Sequence, residues 1–388
     1  MKTIKLSVLL LFTALTVCAQ TANVKVGAES TKEYFPILKN KRVAIMSNHT
    51  GMVGKEHLLD LLIRNKFNVT TIFSPEHGFR GDADAGEHVS SSIDEKTGVP
   101  IRSLYDGKGG KPSAESMETF DVLIIDIQDV GLRFYTYYAT VVRLMDACAE
   151  YNKKMLILDR PNPNGHYVDG PILDMKHKSG VGWLPVPVVH GMTLGELALM
   201  VNGERWLPGS RVCDVTVIKC KNYTHKTLYE VPLAPSPNLP NMQAIYLYPS
   251  TCLFEATPVS LGRGTEFPFE VYGHPNMKGY SFEFTPRSIS GAKNPPQLNN
   301  LCHGVDLRNV PHEEIFKNGF NLSYVIDAYN NLNMGDHFFR PFFEKLVGVD
   351  YIRKMIKEGK SADEIKMMWQ DDVKRFKEQR LPYLLYEE

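Results

Sequence analysis

The segment Asp121–Ile127 constrains the fold more than any other, because Val122-Leu123-Ile124-Ile125 runs without a polar break between two aspartates. A strand that is apolar on both faces must be covered on both, which is the condition of a central strand in a parallel sheet flanked by helices. Arg42–Ser47, Val69–Phe73 and Lys154–Leu158 have the same β-branched or apolar character, with shorter strands expected at Ile101–Tyr105 and Val212–Ile218. Between these runs, apolar residues recur at helical spacing in Glu56–Asn65, in the short Ser113–Thr119 stretch and in the aromatic-led Tyr135–Glu150. Thr193 and Glu196 form a capping box that opens a helix reaching Asn202. The alternation of strand and helix predicts an α/β fold with a parallel sheet.

Each strong strand ends in a polar cluster. These are Asn48/His49, Glu76/His77/Arg80, Asp126/Gln128/Asp129/Arg133 and Asp159/Arg160/Asn162. A single aspartate after a strand is more often a helix cap than a ligand. In an open parallel sheet, however, all strand tips share one edge, where ligands bind, so four rich clusters there predict a site. The richest is Ser74-Pro75-Glu76-His77-Gly78-Phe79-Arg80-Gly81. Pro75 ends the ladder, and Gly78 and Gly81 allow a tight backbone path. The polar stretch that follows, Gly81–Pro100, is too long for a plain connection and reads as a disordered segment or a lid.

Several chemistries lack their signatures. Asp106-Gly107-Lys108-Gly109-Gly110 follows a strand without the spacing of a dinucleotide fingerprint. No Gly-x-Ser-x-Gly elbow of an α/β-hydrolase is present. His77, Asp126, Asp129 and His190 are candidate metal ligands, but no histidine pair stands at helical spacing. Carboxylates flanked by Arg, Tyr and Asn suit sugar hydrolysis better. One carboxylic acid protonates the leaving oxygen there, and a second group activates water or stabilises the oxocarbenium-like transition state. Glu76 is the candidate acid. Desolvation beside Phe73 and Phe79 would raise its pKa, and Arg80 would oppose that. Asp126, Asp129 and Glu255 are its candidate partners. Unaided, the pattern reaches a carboxylate-rich polar cleft and goes no further.

With 44 basic and 44 acidic residues and no long run of either sign, nothing points to nucleic acid or an anionic membrane as a main partner. Met1–Ala19 has the form of a secretory leader, with Lys2 and Lys5 before the apolar run Leu6–Val17, so export to the periplasm or medium is expected. Lipidation at Cys18 is the weaker expectation, since Val17 is a poor neighbour for it. No other stretch is apolar for long enough to span a bilayer. The five remaining cysteines are odd in number and scattered, which is neither a disulfide framework nor a zinc site. Four prolines between Pro232 and Pro240 mark a boundary, giving a catalytic domain over residues 20–231 and a second domain over 232–388, helical from Leu322 onward.

Six motifs in order carry a resemblance. They are Ser74–Gly81, Asp126-Ile127-Gln128-Asp129-Val130-Gly131-Leu132-Arg133-Phe134-Tyr135-Thr136-Tyr137, Asp159–Pro163, His190–Glu196, Pro235–Asn238 and Gly262–Thr265. Together they resemble the exo-β-N-acetylmuramidases of the NamZ type, glycoside hydrolase family 171, earlier known as a domain of unknown function. The resemblance implies release of terminal N-acetylmuramic acid from the non-reducing end of peptidoglycan fragments, with no cofactor. It also implies a Rossmann-like domain, a smaller α+β C-terminal domain and a cleft between them. Glu76 matches the family's catalytic acid, and His77, Asp126 and Asp129 stand with it as catalytic candidates. Asn48, Arg80, Arg133, Tyr135, Arg160, Asn162, His190, Glu255 and Arg263 are the expected substrate-binding residues. Leu239-Pro240, and Ala256 with Pro258, depart from the family pattern near Glu255. The sugar's lactyl carboxylate calls for a fixed guanidinium, for which Arg133, Arg160 and Arg263 are candidates. Tyr135, Tyr137 and Tyr138 are expected around the sugar. A non-catalytic muropeptide binder and a metal-dependent hydrolase using His77 and Asp129 are the alternatives.

Overall fold

The computed structural model describes residues 23–75, 79, 92–104 and 110–388. The leader Met1–Ala19, the candidates Glu76, His77 and Arg80, most of the Gly81–Pro100 stretch and the Asp106–Gly109 run lie outside the described residues. The elements of the first part are α1 (Thr31–Leu38), β1 (Arg42–Ser47), a hairpin of β2 (Met52–Val53) and β3 (Glu56–His57), α2 (Leu58–Arg64), β4 (Asn68–Ser74), β5 (Ser92–Ile93), β6 (Pro100–Ser103), α3 (Ala114–Met117), β7 (Val122–Asp126), α4 (Tyr137–Glu150), β8 (Lys154–Leu158), α5 (Leu194–Gly203) and β9 (Asp214–Ile218). The helix expected from Glu56 begins at Leu58 instead. Glu56 and His57 pair with Val53 and Met52, and the His57 ring then caps α2 by accepting from the Leu59 amide.

Seven strands form one sheet in the order β5-β6-β4-β1-β7-β8-β9, parallel except for the β5–β6 pair. With β5 set aside, the strands run third-second-first-fourth-fifth-sixth in chain order, the doubly wound arrangement of Rossmann-type domains. Side chains alternate between the two faces. Val43, Ile45, Ile124 and Leu156 pack on one side with residues of α1 and α2. Ala44, Met46, Ile125 and Ile157 pack on the other with α4 and α5.

That second core continues into the C-terminal domain. There α6 (Met242–Thr251) leads to an antiparallel sheet of β10 (Val271–His274), β11 (Phe282–Phe284) and β12 (Cys302–Asp306), with β12 in the middle. Helices α7 (His312–Asn318), α8 (Ser323–Leu332), α9 (Phe343–Val347), α10 (Tyr351–Lys357), α11 (Ala362–Lys366) and α12 (Gln370–Arg380) follow. The chain end then returns to the first domain. The Tyr386 hydroxyl donates to Asp159 at 2.7 Å, and the Leu385 amide donates to Glu196, which also holds His225 at 3.0 Å. Burial lifts the Asp159 carboxyl to about 6, against the pull of the Thr193 and Tyr386 hydroxyls. Asp159, a strand-tip residue, thus serves as an anchor for the tail.

Candidate active site

The strand order reverses between β1 and β7, and the register puts their last residues, Ser47 and Asp126, side by side. A crevice opens beyond the carboxyl ends at such a point. Here the two tips are laced together by short side chains. Asn48 Oδ1 accepts from the Thr50 amide and hydroxyl at 2.9 and 2.6 Å, and Thr50 Oγ1 accepts from the Gln128 amide at 3.0 Å. Asn48 Nδ2 donates to the Tyr137 hydroxyl at 3.0 Å.

Above the tips lies the proline-rich segment. His49 Nε2 is 2.7 Å from the Ala234 carbonyl, while the hydroxyls of Tyr135 and Tyr137 both donate to the Pro235 carbonyl, at 2.8 and 3.3 Å. The two rings meet edge to face at 4.8 Å. Four backbone-compatible prolines make this segment stiff, and the three ring donors hold it over the crevice. Beneath the roof, at the start of α4, is a pocket. Its walls include Tyr135 and Tyr137 from the first domain, Asn238 from the roof, and Tyr248, Glu255 and Arg263 from the second domain.

Glu255 and Arg263 face each other across 3.1 Å and are only partly buried. The Cys252 thiol lies 3.8 Å from the other Glu255 oxygen, and the Arg263 guanidinium stands 6.0 Å from the centre of the Phe269 ring. Asn238 is held by donation to the Gly291 carbonyl at 2.8 Å. The pocket therefore offers one guanidinium, one carboxylate, a carboxamide and several aromatic faces, a lining suited to a polar ring bearing an anionic substituent.

Among the described residues, the other expected site residues do not line this pocket. Asp126 has no exposed surface and accepts from Arg160 Nε at 2.6 Å, while Arg160 Nη2 donates to the Met52 carbonyl. Arg133 is also fully buried. It donates to the carbonyls of Pro171, Val186, Leu346 and Val347 at 2.6–2.9 Å, which makes it a strut between the domains. Burial pulls its pKa down to about 10. Neither arginine is open to a sugar carboxylate, so of the three candidates Arg263 alone reaches the pocket. Asn162 shapes a turn by bonding the Asn164 amide and the Met192 carbonyl. His190 accepts from the Met192 amide, and burial together with the Arg380 cation pushes it down to about 3, so it is neutral. Tyr138 accepts from the Trp183 amide instead of lining the pocket.

Asp129 is likewise buried and outside the pocket lining. Its Oδ1 accepts from the Gly131 amide at 2.7 Å, and burial raises its pKa to about 7 even though the amides of Gly131, Val130 and Tyr138 oppose the shift. Asp126 Oδ2, Asp129 Oδ2, Gln128 Oε1 and Ser74 Oγ are buried and find no hydrogen-bond partner among the described residues. Among the described residues, no three His, Cys, Asp or Glu side chains are grouped so as to share a metal ion.

Models of the N-terminal and C-terminal domains of the exo-β-N-acetylmuramidase NamZ match residues 43–243 and 246–386. The chain belongs to the NamZ family. The peptidoglycan β-N-acetylmuramidase NamZ of Bacillus subtilis (strain 168) is 38% identical over 391 aligned positions, covering 95% of this chain and 92% of that protein. A crystal structure of a DUF1343 family protein from Bacteroides fragilis NCTC 9343 is 73% identical and superposes with a TM-score of 0.89, covering 94% of this chain and 99% of that one. A second from the same organism is 29% identical, with a TM-score of 0.78, over 94% of this chain and all of its own. The two matched NamZ regions meet in α6, close to the pocket. The pocket also holds residues that were not singled out from the sequence. Asn238 stands in the Pro235–Asn238 motif, where a polar residue in a stiff loop was the available signal. Tyr248 sits in an apolar helix and reads as core.

Proposed function

We infer that the protein is an exo-acting glycosidase that releases terminal N-acetylmuramic acid from the non-reducing end of peptidoglycan fragments. The observation that carries this reading is the pocket at the start of α4, closed by the second domain and furnished with Arg263 and Glu255. A guanidinium at the wall recognises the lactyl carboxylate that separates muramic acid from other amino sugars. Membership of the NamZ family, and the activity named for the Bacillus subtilis relative, support the same conclusion.

Glu76 is the proposed general acid. It follows the end of β4 by two residues, and register through β1 sets that end level with Asp126. Glu255 is the proposed second carboxylate, because Asp126 and Asp129 are buried outside the pocket lining while Glu255 belongs to it. In this scheme Glu76 protonates the bridging oxygen as the bond to the anomeric carbon breaks. Glu255 opposes the positive charge developing on the ring, and a water oxygen bonds to the anomeric carbon and loses a proton to a carboxylate, which completes the hydrolysis. Export belongs to the same proposal: the Met1–Ala19 leader is removed and the mature chain starts at Gln20, which N-terminal sequencing of the exported protein tests.

The deciding experiment uses a chromogenic N-acetylmuramide. The natural sequence is expected to release the chromophore, and Glu76→Gln to lose about 10²–10⁴-fold in kcat with an unchanged melting profile. Undiminished turnover by the folded variant removes Glu76 from the mechanism. Absence of any release by the unaltered protein removes the glycosidase reading.

A further inference from the structure

A second cavity lies one step along α4 from the pocket and has no part in the chemistry above. Its walls carry Trp183 and Trp206, two of the chain's three tryptophans, together with Arg143 and Lys178. Both cations attend the Trp183 ring, with the Lys178 ammonium 4.2 Å and the Arg143 guanidinium 5.1 Å from its centre. The acids nearby are already engaged. Asp146 holds Lys111 and Arg211, and Glu150 holds Lys111. Among the described residues no carboxylate pairs with Lys178, which is solvent-exposed. The cavity is therefore aromatic, cationic and open.

The cavity and the pocket are lined by neighbouring parts of the same two segments. Val181 lines the pocket, and Trp183, two residues on, lines the cavity. The Trp183 amide is tied to the hydroxyl of Tyr138, which adjoins the pocket residue Tyr137 on α4. From Tyr137 to Arg143 the helix rises roughly 9 Å, the length of about two linked pyranose rings.

We propose that this cavity is an aglycone subsite for the second sugar beyond the scissile bond. The inference rests on the muramidase reading. Peptidoglycan glycans alternate N-acetylmuramic acid with N-acetylglucosamine, so a muramic acid held in the pocket is followed by a neutral glucosamine and then by a second acidic sugar. A carboxylate-bearing ring arriving two places along meets Lys178, and its apolar face meets indole. The enzyme would then favour chains of three or more sugars over the disaccharide.

The test compares three substrates, a chromogenic N-acetylmuramide, the disaccharide and the tetrasaccharide that begin with muramic acid, for the unaltered enzyme, Lys178→Ala and Trp206→Ala. The expected result is a KM about tenfold lower for the tetrasaccharide than for the disaccharide, the weight of one charge-assisted hydrogen bond. Each variant should erase that difference and leave the two smaller substrates unchanged. Equal KM values for disaccharide and tetrasaccharide in the unaltered enzyme overturn the subsite, as do variants that slow all three substrates alike. If the unaltered enzyme releases muramic acid from none of the three, the muramidase reading fails, and this inference falls with it.

Discussion

Replacing Asp129 by Asn tests the account of this buried carboxyl group, because the two side chains have the same shape and differ in charge. In the unfolded chain the carboxyl group loses its proton near its ordinary value of 3.8, and in the folded protein it keeps the proton up to about 7. Between those values the folded state holds one more proton than the unfolded state. Rising pH therefore favours unfolding across this window, and the loss is complete above pH 7. A displacement of about three pH units corresponds to about 4 kcal/mol. Asn keeps the acceptor used by the Gly131 amide and has no proton to lose. Asp159, also raised, adds a pH dependence of the same sign, while His190, lowered to about 3, contributes stability that is lost as pH falls below its unfolded value. Both are common to the two proteins and cancel in the comparison. The melting temperature of Asp129→Asn should rise relative to the parent by about 5 °C between pH 4.5 and pH 8, on the entropy scale of a chain this long. Turnover per folded molecule should stay within a few-fold. A temperature difference that does not change with pH refutes the desolvated-carboxyl argument, and a hundredfold loss of turnover moves Asp129 into the chemistry.

Arg263→Ala should lower kcat/KM for a muramide by about 10–100-fold, with a much smaller effect on the matching glucosaminide, which lacks the lactyl group; equal losses on both would remove the carboxylate contact. Arg133→Met leaves four buried carbonyls without their donor and should cost about 3–5 kcal/mol in denaturant unfolding, with kcat preserved in the folded fraction. Gly131→Ala should also destabilise, by about 2 kcal/mol or more, since φ is +75° and the added carbon would sit 2.1 Å from Asn162 Nδ2; a melting profile like the parent's would contradict that turn geometry.

The sheet was legible because its cause is local. Unbroken apolar runs such as Val122–Ile125 leave a strand no stable place except between two covered faces, and the helical spacing between runs dictates parallel pairing. The same reasoning placed the polar clusters on one edge, and it identified the capping box of α5 and the stiffness of the Pro232–Pro240 segment. It did not determine what each clustered side chain does there. Arg133, Arg160 and Arg263 are equally plausible carboxylate receptors on paper. They differ because Leu346 and Val347 return to cover Arg133 and Asp126 neutralises Arg160, whereas Arg263 pairs with the partly buried Glu255. Asp159 and Glu196 are claimed by a tail 227 and 189 residues away. Periodicity is a property of neighbours in the chain, so sequence alone could determine elements and edges. Burial, hydrogen-bond partners and charge state are properties of neighbours in space, and only the folded chain could decide which of these polar groups meet the sugar and which are buried away from it.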